Sequence, residues 1–298
     1  MKKEFQSGFI AIIGRPNVGK STLLNALVGE KIAIMSDKPQ TTRNKITAVL
    51  TEKDYQMIFL DTPGMHRPKS KLGEIMVSEV KSALNEVDAV LLVVEPDQKY
   101  GPIEQELLNN LKGLTDRIIL IINKIDLVQK NGILPMINDY ANLCDFHAVI
   151  PVSATNGDGV QIVKDELLKL MPIGPMYFPE DMITDQPEKK MVGEIIREKA
   201  LQLLDQEVPH GVAVEIVTMK PNEKGLLEIT ANIYCEKDSH KGIIIGKQGS
   251  MLKRIGTMAR MDIEKIFGNK IFLELWVKVK PDWRNSEFML KDFGFKQQ

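Results

Sequence analysis

Gly14-Arg15-Pro16-Asn17-Val18-Gly19-Lys20-Ser21 follows the apolar run Phe9–Ile13 and leads into Lys20–Val28, where apolar residues recur at helical spacing. A strand, a glycine-bounded loop and a helix in that order decide the fold of the N-terminal half. In the pattern G-x-x-x-x-G-K-S, backbone N–H groups of the loop and of the helix N-terminus converge on phosphate. Gly14 and Gly19 permit the tight turn and close approach, with Arg15, Pro16, Asn17 and Val18 between them. Lys20 is placed to reach the β- and γ-phosphates, and Ser21 to bind Mg²⁺.

Outward from this loop the chain keeps a regular rhythm. Lys45–Thr51 and Tyr55–Asp61 read as two strands joined by the turn Glu52-Lys53-Asp54, and Leu72–Asn85 reads as a helix. Strands at Ala89–Val94, Ile118–Ile122 and Ala148–Val152 then alternate with helices at Ile103–Leu111, Leu134–Leu143 and Val160–Leu170. Continuous apolar strands separated by helices predict an α/β fold with a mostly parallel sheet and helices on both faces. The 45–61 hairpin predicts one antiparallel edge strand.

Three further motifs follow predicted strands. Asp61-Thr62-Pro63-Gly64 closes the strand Met57–Leu60. There the carboxylate can hold Mg²⁺, usually through water, and the Gly64 N–H can meet the γ-phosphate. Asn123-Lys124-Ile125-Asp126 follows Ile118–Ile122. Asp126 can accept from the N1–H and exocyclic amine of guanine, an edge adenine lacks, so the wrong base leaves the carboxylate unpaired. Asn123 is expected to brace the loop, and the Lys124 stem to cover the base. Ser153-Ala154 completes the set, with the Ala154 N–H expected to donate to guanine O6. Between the phosphate loop and the hairpin lies Thr41-Thr42-Arg43, a candidate switch segment. Thr42, with Thr41 as the alternative, can add a hydroxyl to Mg²⁺ when the γ-phosphate is present.

Pro172, Pro175, Pro179 and Pro187 fall close together and predict a linker at 173–189, separating residues 1–172 from 190–298. Beyond it the pattern changes to a helix Met191–Leu204, strands Val212–Met219 and Leu227–Cys235, helices His240–Ile245 and Met251–Phe267, and the strand Ile271–Val279. Ile243-Ile244-Ile245-Gly246-Lys247-Gln248-Gly249 sits between the two helices. Its glycines let a phosphate chain approach the backbone, Lys247 adds charge, and the helix from Ser250 offers its N-terminus. Lys253 lies one turn further on.

Charge supports an anionic partner at that end. The 298 residues carry a net charge of −1, but Lys237–Gln298 holds 13 basic residues against 7 acidic ones. Apolar content of 43% suits a globular chain with real cores. Cys144 and Cys235 form no C-x-x-C pair and are expected as free thiols in a reducing cytosol. No apolar run reaches the ~18 residues that read as a membrane span. Met1-Lys2-Lys3 precedes a strand entering a loop, which is not the pattern of a signal peptide.

G-R-P-N-V-G-K-S, T-T-R, D-T-P-G and N-K-I-D together resemble the translation-factor-class GTPases, and among them the Era subgroup, akin also to the TrmE and EngA groups. The resemblance covers nearly the whole chain, because I-I-I-G-K-Q-G resembles the I-G-x-x-G signature of a KH domain, in an element order similar to the α+β type II KH topology. It implies a Mg²⁺-dependent, intrinsically slow GTPase. It also implies that the KH domain binds the 3′ end of 16S rRNA, that nucleotide state gates this binding, and that the chain acts in assembly of the small (30S) ribosomal subunit. Peripheral association with the cytoplasmic face of the membrane is implied by the family alone. Met65 stands where a Ras-like protein would carry a water-positioning glutamine, and methionine cannot orient water by hydrogen bonding. Catalysis then leans on phosphate electrostatics and another group or ion. Asn17 has two readings: it helps hold a K⁺ ion beside the phosphates, as in related GTPases, or it only fixes the loop. Two rival functions also stand, a GTP-dependent scaffold in which hydrolysis is incidental, and a GTPase whose second domain binds protein through a mere turn at 246–249.

Overall fold

The computed structural model describes residues 4–85, 87–96, 101–111, 115–129 and 132–295, so Met1-Lys2-Lys3 and the last three residues of the tail lie outside it. Contacts divide the chain into two units. One comprises Met1–Ala33, Thr42–Pro68 and Gly73–Asp185, the other Ile34–Thr41, Lys69–Leu72 and Gln186–Gln298.

The first unit is built on a six-stranded sheet of β1 (Gln6–Gly14), β2 (Ile46–Glu52), β3 (Tyr55–Asp61), β4 (Ala89–Val94), β5 (Ile118–Ile122) and β6 (Ala148–Pro151). The order is β2-β3-β1-β4-β5-β6, with β2 the antiparallel edge strand and every other pair parallel. Alternation along β1 sends Ile10 and Ile12 into one apolar layer and Ala11 and Ile13 into the other. The first layer is closed by α1 (Lys20–Val28) and α5 (Val160–Leu170). The second is closed by α2 (Lys71–Ala83), α3 (Pro102–Asn110) and α4 (Ile133–Ala141). Burial on both faces explains why these strands lack polar alternation. It also places the C-terminal ends of β1, β3, β5 and β6 along one edge, where such sheets bind ligands.

The boundary between the units falls between Asp185 and Gln186, inside the stretch 173–189 expected as a linker, and the part before it is strapped to the first unit. Ser7 Oγ donates to the Pro175 carbonyl at 2.7 Å, Gln56 Oε1 accepts from the Tyr177 and Phe178 N–H groups, and the Val49 N–H donates to the Ile183 carbonyl at 2.9 Å. Proline removes donors and regular structure, but backbone groups of Pro175, Tyr177, Phe178 and Ile183 still find partners on the first unit.

In the second unit, α6 (Glu188–Leu203), α7 (Asp238–Ile245) and α8 (Ser250–Phe267) cover a sheet of order β7-β8-β9, from β7 (Ala213–Pro221), β8 (Leu227–Cys235) and β9 (Ile271–Val279). β7 pairs antiparallel and β9 parallel to β8. Val192, Ile196, Ile229, Ile233, Ile255 and Ile263 fill its core. The tail, which has no clear period in sequence, forms a short helix α9 (Glu287–Asp292). Trp283 is fully buried and donates from its indole nitrogen to the Gly211 carbonyl at 2.9 Å, while its ring packs against Phe293 and Phe295. Cys144 and Cys235 are free thiols. Among the described residues no helix is long and apolar enough to cross a membrane.

Candidate functional site

β1 ends at Gly14, and the loop turns through Asn17 and Gly19, both left-handed with φ 66° and 94°. Asparagine and glycine are the residue types that tolerate this region. Lys20 is buried, and its ammonium donates to the Arg15 carbonyl at 2.8 Å and the Gly14 carbonyl at 3.3 Å. Burial lowers its pKa to about 8, against the opposing pull of Asp61. Asp61, at the end of β3, is fully buried, and burial raises it to about 6 despite Lys20 and hydrogen bonds from Ser21 and Thr42. Both shifts mark a charged pocket shielded from water.

Three predicted Mg²⁺ ligands meet here. Ser21 Oγ donates to Asp61 Oδ2 at 2.7 Å and lies 2.8 Å from Thr42 Oγ1, which is 3.4 Å from the same carboxylate oxygen. Asp61 Oδ1 is enclosed and meets no donor. An all-oxygen set of two hydroxyls and a carboxylate, with a buried oxygen left over, fits a hard divalent cation that keeps water in its shell. Thr41 is separated from this group, since its hydroxyl donates to the Lys38 carbonyl at 2.6 Å. Of the two threonines, Thr42 is the one whose hydroxyl lies beside Ser21 and Asp61. Arg43 is buried.

Gly64 lies against the phosphate loop. A Cβ there would stand 2.6 Å from Pro16 Cα and N, so the backbone approach requires glycine. The Met65 N–H donates to the Gly14 carbonyl at 3.0 Å, and its side chain is buried in the apolar layer with Ile13 and Val90. Thr62 Oγ1 donates to the Ile12 carbonyl, so its hydroxyl braces β3 against β1. The Arg15 side chain is paired with buried Glu104, leaving its backbone as its part of the cradle. Sequence reasoning passed over His66, whose Nδ1 lies 2.8 Å from the Gly64 carbonyl while Nε2 is enclosed without a partner. Its position directly after Met65 was the available signal.

The base-reading motifs converge at the ends of β5 and β6. Asn123 Nδ2 donates to the Val18 carbonyl at 2.9 Å and so ties its own loop to the phosphate loop. Asn123 Oδ1 accepts from the Ala154 N–H at 3.0 Å, so that N–H serves the brace rather than standing ready for guanine O6. Ser153 Oγ donates to Asp126 Oδ1 at 2.6 Å and orients an exposed carboxylate. Lys124 is left-handed and its ammonium pairs with Glu95 at 2.5 Å, which fixes the stem, and Ile125 follows it through an N–H bond to the Val152 carbonyl.

In the second unit, α7 ends at Gly246, where a Cβ would stand 2.7 Å from Met251 Cβ. Gln248 and Gly249 are left-handed, with φ 52° and 77°, and Lys247 and Gln248 are exposed at the head of α8. A groove of about 500 Å³ runs from this loop between α8 and β9, lined by Gly249, Lys253, Gly256, Arg260, Phe272 and Leu275. Two basic side chains, an exposed aromatic ring and a narrow glycine-lined wall suit unstacked bases on a phosphate chain.

A family model described as a 50S ribosome-binding GTPase matches residues 9–124, and a KH-domain model matches residues 207–284. The chain is 56% identical to the GTPase Era of Ruminiclostridium cellulolyticum, covering 98% of each. It is likewise 56% identical to that of Alkaliphilus oremlandii, covering 98% of this chain and 99% of the relative. Among solved structures, Era in complex with MgGDPNP and nucleotides 1506–1542 of 16S ribosomal RNA superposes with a TM-score of 0.95 at 40% identity, covering 98% of this chain and all of the other. A singly substituted Aquifex aeolicus Era bound to GDP.AlF4− gives a TM-score of 0.94 at 40% identity and the same coverage. Similarity of this extent, over both units and with the nucleotide motifs assembled in place, makes the chain a member of the Era family of GTPases.

Proposed function

We propose that this GTPase binds Mg·GTP in the first unit, hydrolyses it slowly by direct attack of water, and binds the 3′ end of 16S rRNA through the KH groove during assembly of the 30S subunit. The observation that carries the nucleotide half is the convergence of Ser21, Thr42 and Asp61 beside Lys20. Ser21, Thr42 and Asp61, the last usually through water, would hold Mg²⁺, which would supply positive charge against the phosphates. Lys20 exchanges its two loop carbonyls for phosphate oxygens, whose negative charge favours the ammonium form that burial opposes. Thr42 discriminates GTP from GDP, because a switch-segment hydroxyl is recruited when the γ-phosphate is present. Asp126, aimed by Ser153, selects guanine.

Met65 is packed in the core and leaves the attacking water to other groups. Asn17 keeps two readings, a ligand to a K⁺ ion that would offset negative charge on the phosphates or a brace for its own left-handed turn, and hydrolysis in KCl against NaCl separates them. The RNA complex of the solved Era relative and the charge of the C-terminal quarter support the RNA half. A cytoplasmic location, with peripheral association at the membrane, is proposed on family resemblance alone.

Single-turnover hydrolysis with and without a 16S 3′-terminal oligonucleotide tests the whole reading. GDP should form in both cases, at a rate that depends on the RNA. Binding of GTP with no turnover in either condition would favour the scaffold instead.

A further inference from the structure

Two carboxylates of the first unit lie outside the nucleotide motifs, one at each end of the connection from β4 to α3. Glu95 directly follows β4, and Glu104 stands in the first turn of α3. Each takes a cation from a different motif. Lys124 of N-K-I-D pairs with Glu95 at 2.5 Å, both side chains partly buried. Arg15 of the phosphate loop pairs through Nη2 with Glu104, whose side chain is only 2% exposed. The same Glu104 oxygen accepts from the Gly101 N–H at 3.0 Å, so one carboxylate ties the phosphate loop to the start of α3. Buried charge is costly unless paired, and removing one partner leaves the other uncompensated. The two pairs also serve the two ends of the nucleotide site. Lys124 is left-handed, with φ 63°, and its stem is the proposed cover of the base. The Arg15 carbonyl accepts from the Lys20 ammonium at 2.8 Å, which makes the Arg15 backbone part of the phosphate cradle.

We infer that Glu95 and Glu104 are positioning residues that set how long a guanine nucleotide stays bound. Glu95 holds the Lys124 stem in place to cover the base, and Glu104 holds the phosphate loop through Arg15. A long side chain loses rotamer freedom when it covers a ligand, and a partner that has already fixed it removes that cost from binding. Both carboxylates act through another residue, so their effect falls on affinity and release of GDP and GTP alike. This rests on the assignment of residues 14–21 and 123–126 to the nucleotide. It adds a grip on base and phosphates from either end of one connection.

The test measures association and release of GDP and Mg·GDPNP in the full chain, with circular dichroism to establish folding. Glu95→Gln should speed GDP release about fivefold, as expected when one long side chain must be ordered anew, with association within about twofold of the wild type. Glu104→Gln should speed it at least as much, because it leaves a phosphate-loop guanidinium without its carboxylate. Mg·GDPNP should respond by the same factors. Two double-variant cycles separate positioning from a general structural role. Lys124→Met keeps an apolar stem without the ammonium, so adding Glu95→Gln to it should change nothing further. Arg15→Met with Glu104→Gln should likewise lose no more than Glu104→Gln alone. That pair of substitutions also removes both charges together, which keeps the cycle measurable if Glu104→Gln alone fails to fold. Wild-type release from a folded Glu95→Gln or Glu104→Gln, or additive losses in either cycle, overturns the inference, provided Lys20→Ala and Asp126→Asn weaken GDP binding. Unchanged GDP affinity in those two variants overturns the nucleotide-site assignment and the inference with it.

Discussion

Ser153 Oγ donates to Asp126 Oδ1 at 2.6 Å, which fixes the direction of the carboxylate proposed to select guanine. Asp126→Asn retains the Ser153 contact but replaces an acceptor by an amide. GTP affinity should fall about 30-fold, corresponding to about 2 kcal/mol for a lost charge-assisted pair. Affinity for xanthosine triphosphate should rise above that for GTP, because the amide can donate to the xanthine O2. Competition binding with both nucleotides measures this, and an unchanged preference for GTP would place base recognition elsewhere.

Gly64 and Pro16 are in backbone contact, with room for no Cβ at position 64. Gly64→Ala should push the D-T-P-G segment from the phosphate loop and weaken Mg·GDPNP at least about tenfold, the size of one lost charge-assisted bond. Isothermal titration against both nucleotides should show a smaller effect on GDP.

The Asn17 ion reading predicts faster single-turnover hydrolysis in KCl than in NaCl at equal ionic strength, with the difference lost in Asn17→Ala. Identical rates in both salts would leave Asn17 as a brace for its left-handed turn.

Trp283 should matter to the stability of the second unit as much as any core residue. Trp283→Ala removes a buried ring and its bond to Gly211, at a cost of about 3–5 kcal/mol. Thermal unfolding followed by circular dichroism should show an early transition, while GTP binding by the first unit persists.

Glu215 supplies a pH signature. Burial alone would raise its carboxyl, but hydrogen bonds from Asn232 and Tyr234, aided by Lys278 and Lys280, hold it below its ordinary 4.5. A carboxyl depressed on folding adds stability above its unfolded pKa and loses it as pH falls through the folded one. Glu215→Gln should therefore lower the unfolding midpoint at neutral pH, and the gap should close as the pH drops below the carboxylate range.

The strands were legible because their signal is local. Ala89–Val94 and Ile118–Ile122 are apolar throughout, and their ends in the structure fall where the apolar runs end. The nucleotide site was legible because phosphate, magnesium and guanine each demand particular residue types at strand ends. Three things were not. The prolines of 173–187 announced irregular backbone but not the Ser7 and Gln56 side chains that tie it down. The tail around Trp283 has too few apolar residues to show a period, and its order comes from tertiary packing. Arg197, Glu198 and Lys199 are charged residues of a kind that stays mostly at the surface, yet all three are buried. Their burial follows from backbone groups of a segment far away in the chain, which no periodicity records.

The proposed function joins a guanine-nucleotide site and an RNA-binding groove in one chain, and the groove is the half to challenge. Replacing both Lys247 and Gln248 by aspartate keeps Gly246 and Gly249, so the turn should survive while negative charge enters the expected phosphate path. Binding of the 3′-terminal 16S oligonucleotide, titrated against salt, decides the matter. The double variant should fold, bind GTP as the wild type does, lose the oligonucleotide, and show a flatter salt dependence in whatever binding remains. Wild-type RNA affinity in the folded variant would contradict the account and leave the second unit as a protein-binding module.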